Sequence, residues 1–144
     1  MARVLIVACG CRGQALARDL VAAGHAVRGT TRDEARTAAI AAAGAEPFVG
    51  DPDRIGTLMG ALTGVTIVCW LLGAVPDPDL HGGRLRMLFD KLVDTPVRGV
   101  VYERALPAGE EIARDAAERW RIPVEILDPG ADARVAVDRL LGLS

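Results

Sequence analysis

An α/β fold, built as a doubly wound parallel sheet of six strands in the order 3-2-1-4-5-6, is what this sequence predicts. Three observations carry the expectation. Strand-like and helix-like segments alternate along the whole chain, with no linker, repeat or low-complexity tract between them. The first apolar run, Val4-Leu5-Ile6-Val7-Ala8, breaks into Cys9-Gly10-Cys11-Arg12-Gly13-Gln14 and resumes with helical periodicity. The run at residues 65 to 72 is apolar at almost every position, so it reads as a central parallel strand covered on both faces.

Each element follows from local signals. After a first strand at residues 3 to 9, Gly10 turns the chain tightly, and Gly13 lets a helix at 13 to 23 pack closely on that strand. Leu16, Leu20 and Val21 form the apolar face of this helix, and Gly24 stops it. A second strand at 26 to 30 leads to Asp33, which caps a helix running to Ala43 and ended by Gly44. Pro47 marks the third strand, 45 to 49, as an edge. The turn at Gly50-Asp51-Pro52-Asp53 opens a helix carrying Ile55, Leu58, Met59 and Leu62. After the fourth strand, Asp77-Pro78-Asp79 supplies the cap and first turn of a helix with Leu85, Leu88, Phe89 and Leu92 at core spacing. A fifth strand at 97 to 102, a helix at 109 to 120, a sixth strand at 124 to 127 and a last helix at 131 to 141 complete the chain. Right-handed crossovers and the turn after the first strand favour the doubly wound order over a flavodoxin-like one, which normally closes with five strands.

Composition narrows the function classes. At 144 residues the chain is expected to be a single domain, 1 to 144, long enough to bury roughly 68–70% of its unfolded surface. Its 51% hydrophobic and 25% charged residues belong to the globular class. A net charge of −2 leaves no basic footprint, so nucleic acid is not an expected partner. No apolar stretch reaches about 18 residues, and the N-terminal run is too short for a signal peptide, so the expected location is the cytoplasm, away from membranes. Three cysteines suit a reducing compartment better than a disulfide framework. The mean hydropathy of +0.26 is high for so small a chain and points to apolar surface covered by a second copy or a protein partner.

The residues also resemble a known family, the atypical short-chain dehydrogenase/reductases and NmrA-like NAD(P)-binding Rossmann proteins, over roughly residues 3 to 130. The resemblance rests on the glycine turn, with Gly10 and Gly13 matching two of three glycines and Val7 standing at the first. It also rests on Thr30-Thr31-Arg32 after the second strand, Gly50-Asp51 after the third, and Ile126-Leu127-Asp128-Pro129-Gly130, similar to the family's Ile-Leu-Arg-Pro-Gly. It implies a dinucleotide cofactor, with Asp51 meeting the adenine amino group. Family members that transfer hydride carry a Tyr-x-x-x-Lys pair, in which tyrosine is the acid/base and lysine lowers its pKa. Here Tyr102 is followed four residues later by Leu106, and the only lysine is Lys91, so no catalytic residue is assigned. The family's substrate-binding region would begin near Pro129-Gly130, after which fourteen residues follow. The expected protein is thus a minimal form of the family.

The identity of the dinucleotide is argued from chemistry. A NAD site places an acidic side chain about twenty residues past the turn, on the ribose 2′-hydroxyl. At that place stand Thr30, Thr31 and Arg32, whose hydroxyls and guanidinium suit a 2′-phosphate, with Arg12 reaching the same phosphate from the other side. NADP is the expected cofactor, with NAD the alternative through Asp33. Both arginines also read as solvated surface residues. The expected binding set is Gly10, Cys11, Arg12, Gly13, Thr30, Thr31, Arg32, Asp51 and Leu71, the last walling the cofactor or serving as core. Asp51 reads equally as a turn residue. Neither His25 nor His81 has the neighbours of a metal site, and Cys9 and Cys11 cannot complete one, so no metal is expected. Cys9, Cys11 and Cys69 could form a redox-sensing thiol set beside the nicotinamide or serve as small fillers.

Three functions follow. The first is a regulatory or redox-sensing NADP(H)-binding module. The second is a reductase completed by dimerisation or a partner subunit, and the third is a degenerate fold that binds no nucleotide.

Overall fold

A computed structural model describes residues 2 to 142. Its six strands are β1 (Arg3–Val7), β2 (Ala26–Thr31), β3 (Glu46–Val49), β4 (Ile67–Trp70), β5 (Gly99–Glu103) and β6 (Val124–Leu127). All neighbours are parallel, and the order is β3-β2-β1-β4-β5-β6, as the sequence predicts. The order reverses between β1 and β4, where Val7 pairs with Trp70, and a crevice opens at their carboxyl ends. Pro47 lies in β3, an edge strand where a missing N–H is tolerated.

Helices cover both faces. On one side α1 (Cys11–Ala22), α2 (Thr37–Ala42) and α5 (Ala133–Leu140) bury Leu16, Leu20, Ile40 and Val137 against Val4, Ile6, Cys69 and Val101. On the other, α3 (Gly83–Leu92), α4 (Pro107–Trp120) and a 3-10 segment at Ile55–Leu62 bury Leu58, Leu85, Phe89 and Ala113 against Leu5, Val7, Val68 and Tyr102. Each fully buried large apolar side chain contributes about 1.5–3 kcal/mol, so the two layers hold the sheet's edge rigid. Gly24 and Gly44 stop their helices with φ of 93° and 91°, conformations that a Cβ disfavours.

Several boundaries differ from the expectation by one or two residues, the first strand ending at Val7 and the fifth spanning Gly99–Glu103, and four differences have a clear local cause or bear on the site. The first helix starts at Cys11 rather than 13, because Gly10 already occupies the cap position. The segment at Ile55–Leu62 winds as a 3-10 helix, not α: Gly56 and Gly60 weaken it, and the Phe48 ring lies close enough to Gly60 that a Cβ there would sit 3.2 Å from it. β4 is confined to Ile67–Trp70, shorter than the apolar run. The helix expected from Asp77 begins instead at Gly83. Residues 78 to 82 form turns, because the Asp77 carboxylate accepts from Asp79 N at 2.8 Å and His81 turns inward.

Candidate functional site

The turn after β1 defines the site's floor. Ala8 has φ 65°, a left-handed conformation in which glycine is the unstrained choice. Its N–H donates to the Thr30 hydroxyl at 3.0 Å, and Cys9 N donates to the Thr30 carbonyl at 2.8 Å, tying the turn to β2. Ala8, Gly10 and Gly13 therefore hold the three places of a Gly-x-Gly-x-x-Gly turn, with alanine in the first. Val7, which the resemblance sets at the family's first glycine, is an ordinary, fully buried strand residue. A Cβ on Gly10 would meet nothing within 4 Å, so its backbone faces open space. On Gly13 a Cβ would lie 3.1 Å from Ile6 Cγ2 and 3.3 Å from Cys9 Sγ, the close helix packing expected of it. The first N–H groups of α1, those of Cys11, Arg12 and Gly13, have no intrahelical acceptor and no side-chain cap.

Above this floor a cleft of about 750 Å³ opens over the carboxyl ends of β1, β2 and β3. It brings together Gly10, Thr30, Thr31, Arg32 and Asp51 from the expected set, and adds Arg36 and Asp33. Thr30 is fully buried, and its hydroxyl is engaged by Ala8, so it shapes the turn. The Thr31 hydroxyl bonds the backbone of Asp33. Arg32 and Arg36 are exposed, and among the described residues neither forms an ion pair. Asp33 caps the next turn, accepting from Ala35 N at 2.9 Å. Asp51 organises its own turn by accepting from Asp53 N at 2.9 Å. The apolar wall comes from Leu72, Val75 and Leu80.

Four expected residues do not line the cleft: Cys11 and Gly13, in the first turn of α1, and Leu71 and Arg12. Leu71 packs into the α1 and α5 layer, whereas Leu72, on the other side of the segment that follows β4, lines the cleft. Arg12 does not approach Thr30–Arg32. Its guanidinium crosses the crevice to Glu103, the last residue of β5, with Nη2 donating to Oε1 at 2.6 Å and Nη1 donating to Oε2. Glu103 is fully buried and also accepts from Gly73 N at 2.7 Å and Gly130 N at 3.2 Å. Burial pushes its carboxyl up, but Arg12 and the two N–H groups outweigh this and hold it below the usual range. Cys11 is exposed at the start of α1 and offers its backbone N–H.

Two features escaped the sequence reading. His81, expected in the first turn of a helix, is fully buried: Nδ1 lies 2.6 Å from the Tyr102 hydroxyl, and Nε2 lies 2.9 Å from the carbonyls of Leu72 and Val75. An imidazole protonated at Nε2 satisfies all three partners, donating to the carbonyls and accepting from tyrosine. Burial pushes the Tyr102 hydroxyl up to about 12. Glu103, just past the expected end of the fifth strand, is the second. A carboxylate closing a buried strand has to find a cation, and that was its signal. The cysteines are all free: burial pushes Cys9 up to about 11 and Cys69 to about 12, which opposes thiolate formation, while Cys11 is exposed. Among the described residues no cluster of three His, Cys, Asp or Glu is placed to hold a metal, and no helix is long and apolar enough to cross a membrane.

A doubly wound sheet, a glycine turn at the switch point and a cleft over its first three strands define a nucleotide-binding Rossmann-type protein. The chain belongs to the NAD(P)H-binding family, whose model matches residues 8 to 144. Similar solved structures include the Citrobacter sp. triphenylmethane reductase complexed with NADP(H), at 17% identity and TM-score 0.67, covering 86% of this chain and 48% of that one. Alfalfa vestitone reductase matches at 13% identity and TM-score 0.70, over 88% of this chain and 56% of that one. UDP-glucuronic acid 4-epimerase from Bacillus cereus, solved with NAD, matches at 14% identity and TM-score 0.70, over 97% of this chain and 63% of that one. The chain thus spans about half to two thirds of these structures, and at such identities the likeness is one of fold. No curated protein matched the sequence.

Proposed function

We propose that this protein is an NADP(H)-binding module with a regulatory or sensing role, not a self-contained hydride-transfer enzyme. The observation that carries the cofactor is the pair Arg32 and Arg36, exposed and without carboxylate partners at the end of β2, beside a turn whose backbone is open to an anion. Such guanidinium groups suit a 2′-phosphate dianion. The carboxylate that would favour NAD, Asp33, is engaged in capping Ala35 N. The pyrophosphate would lie on the N–H groups of Cys11 to Gly13, and the adenine against Leu72, Val75 and Leu80 near Asp51.

The nicotinamide ring of bound NADPH carries a transferable hydride, but the residues to direct it are not assembled. Tyr102 has Leu106 in place of the lysine, and its hydroxyl is turned into the core onto His81. Lys91 sits at the far end of α3. A reductase completed by a second copy or another polypeptide is the second reading, favoured by the reductase structures that extend well beyond the span this chain matches. A cytoplasmic location suits the three free thiols.

Calorimetric titration of NADPH and NADH tests the cofactor. NADPH is expected to bind at micromolar Kd and NADH more weakly, with Arg32→Ala reducing NADPH affinity alone. Equal affinities, or no change in the variant, would contradict it.

A further inference from the structure

We infer that the cleft accepts only the adenosine 2′,5′-bisphosphate half of the nucleotide, and that the Arg12–Glu103 bridge bars the nicotinamide half from the sheet edge. The inference rests on the NADP(H) reading and concerns how much of that molecule is held. A dinucleotide bound at a switch point lies across it, one half on each side. Here the lining of the cleft comes from the ends of β1, β2 and β3 and from the loop Leu72 to Leu80, with no residue of β5 or β6. Over those strands the edge is spanned by the Arg12–Glu103 pair, and the space left beside it is a smaller cavity of about 180 Å³ lined by Arg12, Leu71, Leu127 and Gly130. Arg12 projects from the first turn of α1, where the second half would leave the pyrophosphate, and runs over β4 to the buried Glu103.

The bridge is packed as well as paired. A Cβ added to Gly73 would lie 2.6 Å from Glu103 Oε1, so the carboxylate rests directly on the backbone that follows β4. Gly130 donates from beyond β6, so one carboxylate joins three strand ends through four hydrogen bonds. The neighbouring loop is fixed by His81, which holds the carbonyls of Leu72 and Val75. Entry of a nicotinamide riboside would have to separate Arg12 from Glu103 and leave a buried carboxylate without its cation, which is strongly unfavourable. The adenosine half needs no such rearrangement.

The test compares NADPH with adenosine 2′,5′-bisphosphate by competition and calorimetry on the unaltered protein, with NADPH fluorescence as a second readout. The two ligands are expected to bind within about 3-fold of each other, because the nicotinamide half adds no enclosed contact. NADPH emission at saturation should remain that of the free ring. A preference for NADPH of about 30-fold or more, or a blue-shifted and enhanced emission, would overturn the inference while leaving NADP(H) binding intact. Failure of both ligands to bind at millimolar concentration would overturn the NADP(H) reading, and the inference with it.

Discussion

The two halves of the sheet's carboxyl edge are made from the same strand-turn-helix units and differ in how their charges are paired. Over β1, β2 and β3 the ends carry small or hydroxyl residues, Gly10, Thr31 and Gly50, with two guanidinium groups left without carboxylates. Over β4, β5 and β6 the buried ionisable groups are engaged internally, Glu103 by Arg12, Gly73 and Gly130, and His81 by Tyr102 and two carbonyls, while Trp70 Nε1 is buried without a partner among the described residues. An edge with unsatisfied donors is prepared for an anion, whereas one with a closed network serves the fold. The fold alone therefore does not say which half of a Rossmann edge is functional; the pairing of its charges does.

The largest effect is expected where the closed half is broken. Glu103→Gln should destabilise the protein by about 2–4 kcal/mol in urea unfolding at pH 7, below the top of the range for buried pairs because the Arg12 side chain is 45% exposed. The Glu103 contribution is present above the ordinary carboxyl value of 4.5 and is lost as pH falls through the lowered folded value. The gap between wild type and variant should therefore close on the acid side. A gap that persists there would mean the carboxylate's charge is not what stabilises it.

The open half should respond in binding and not in folding. Arg32→Ala is expected to cost about 1.5–3 kcal/mol of NADPH affinity while leaving stability within about 0.5 kcal/mol. The reverse pattern would move Arg32 to the structural half of the comparison. Tyr102→Phe sharpens the contrast, since it strips His81 of one partner and should destabilise by about 1–2 kcal/mol without changing nucleotide affinity. Ala8→Gly should produce the smallest change, a gain of about 0.5–1 kcal/mol. Relief of the left-handed alanine is partly offset by the greater freedom of an unfolded glycine.

Much of this fold was legible because its signals are local and repeated. Alternating apolar periods, glycine stops at Gly24 and Gly44 and the turn at Gly10 and Gly13 together specified six strands and their order. The lining of the open cleft was legible for the same reason: Thr30 and Thr31 close β2, Arg32 follows it and Asp51 lies just past β3, where chain position nearly determines spatial position. The closed half was not. Leu71 and Leu72 are both apolar, so the strand's alternation left no polar residue to mark which one faces the cleft. Arg12 could be placed in the turn, but the direction of a long side chain depends on the partner it finds, and Glu103 is distant in sequence. His81 stands among turn residues, and the Tyr102 hydroxyl and the carbonyls of Leu72 and Val75 that it meets explain why it is buried.

Amide-resolved NMR of labelled protein titrated with NADPH tests the asymmetry most directly, because each half of the edge contributes its own reporters. The expected result is a set of saturable shifts at Gly10, Arg32 and Gly50, with Gly73, Glu103 and Gly130 essentially unmoved. Shifts centred on Gly73 and Gly130 with a silent Arg32 would contradict the account.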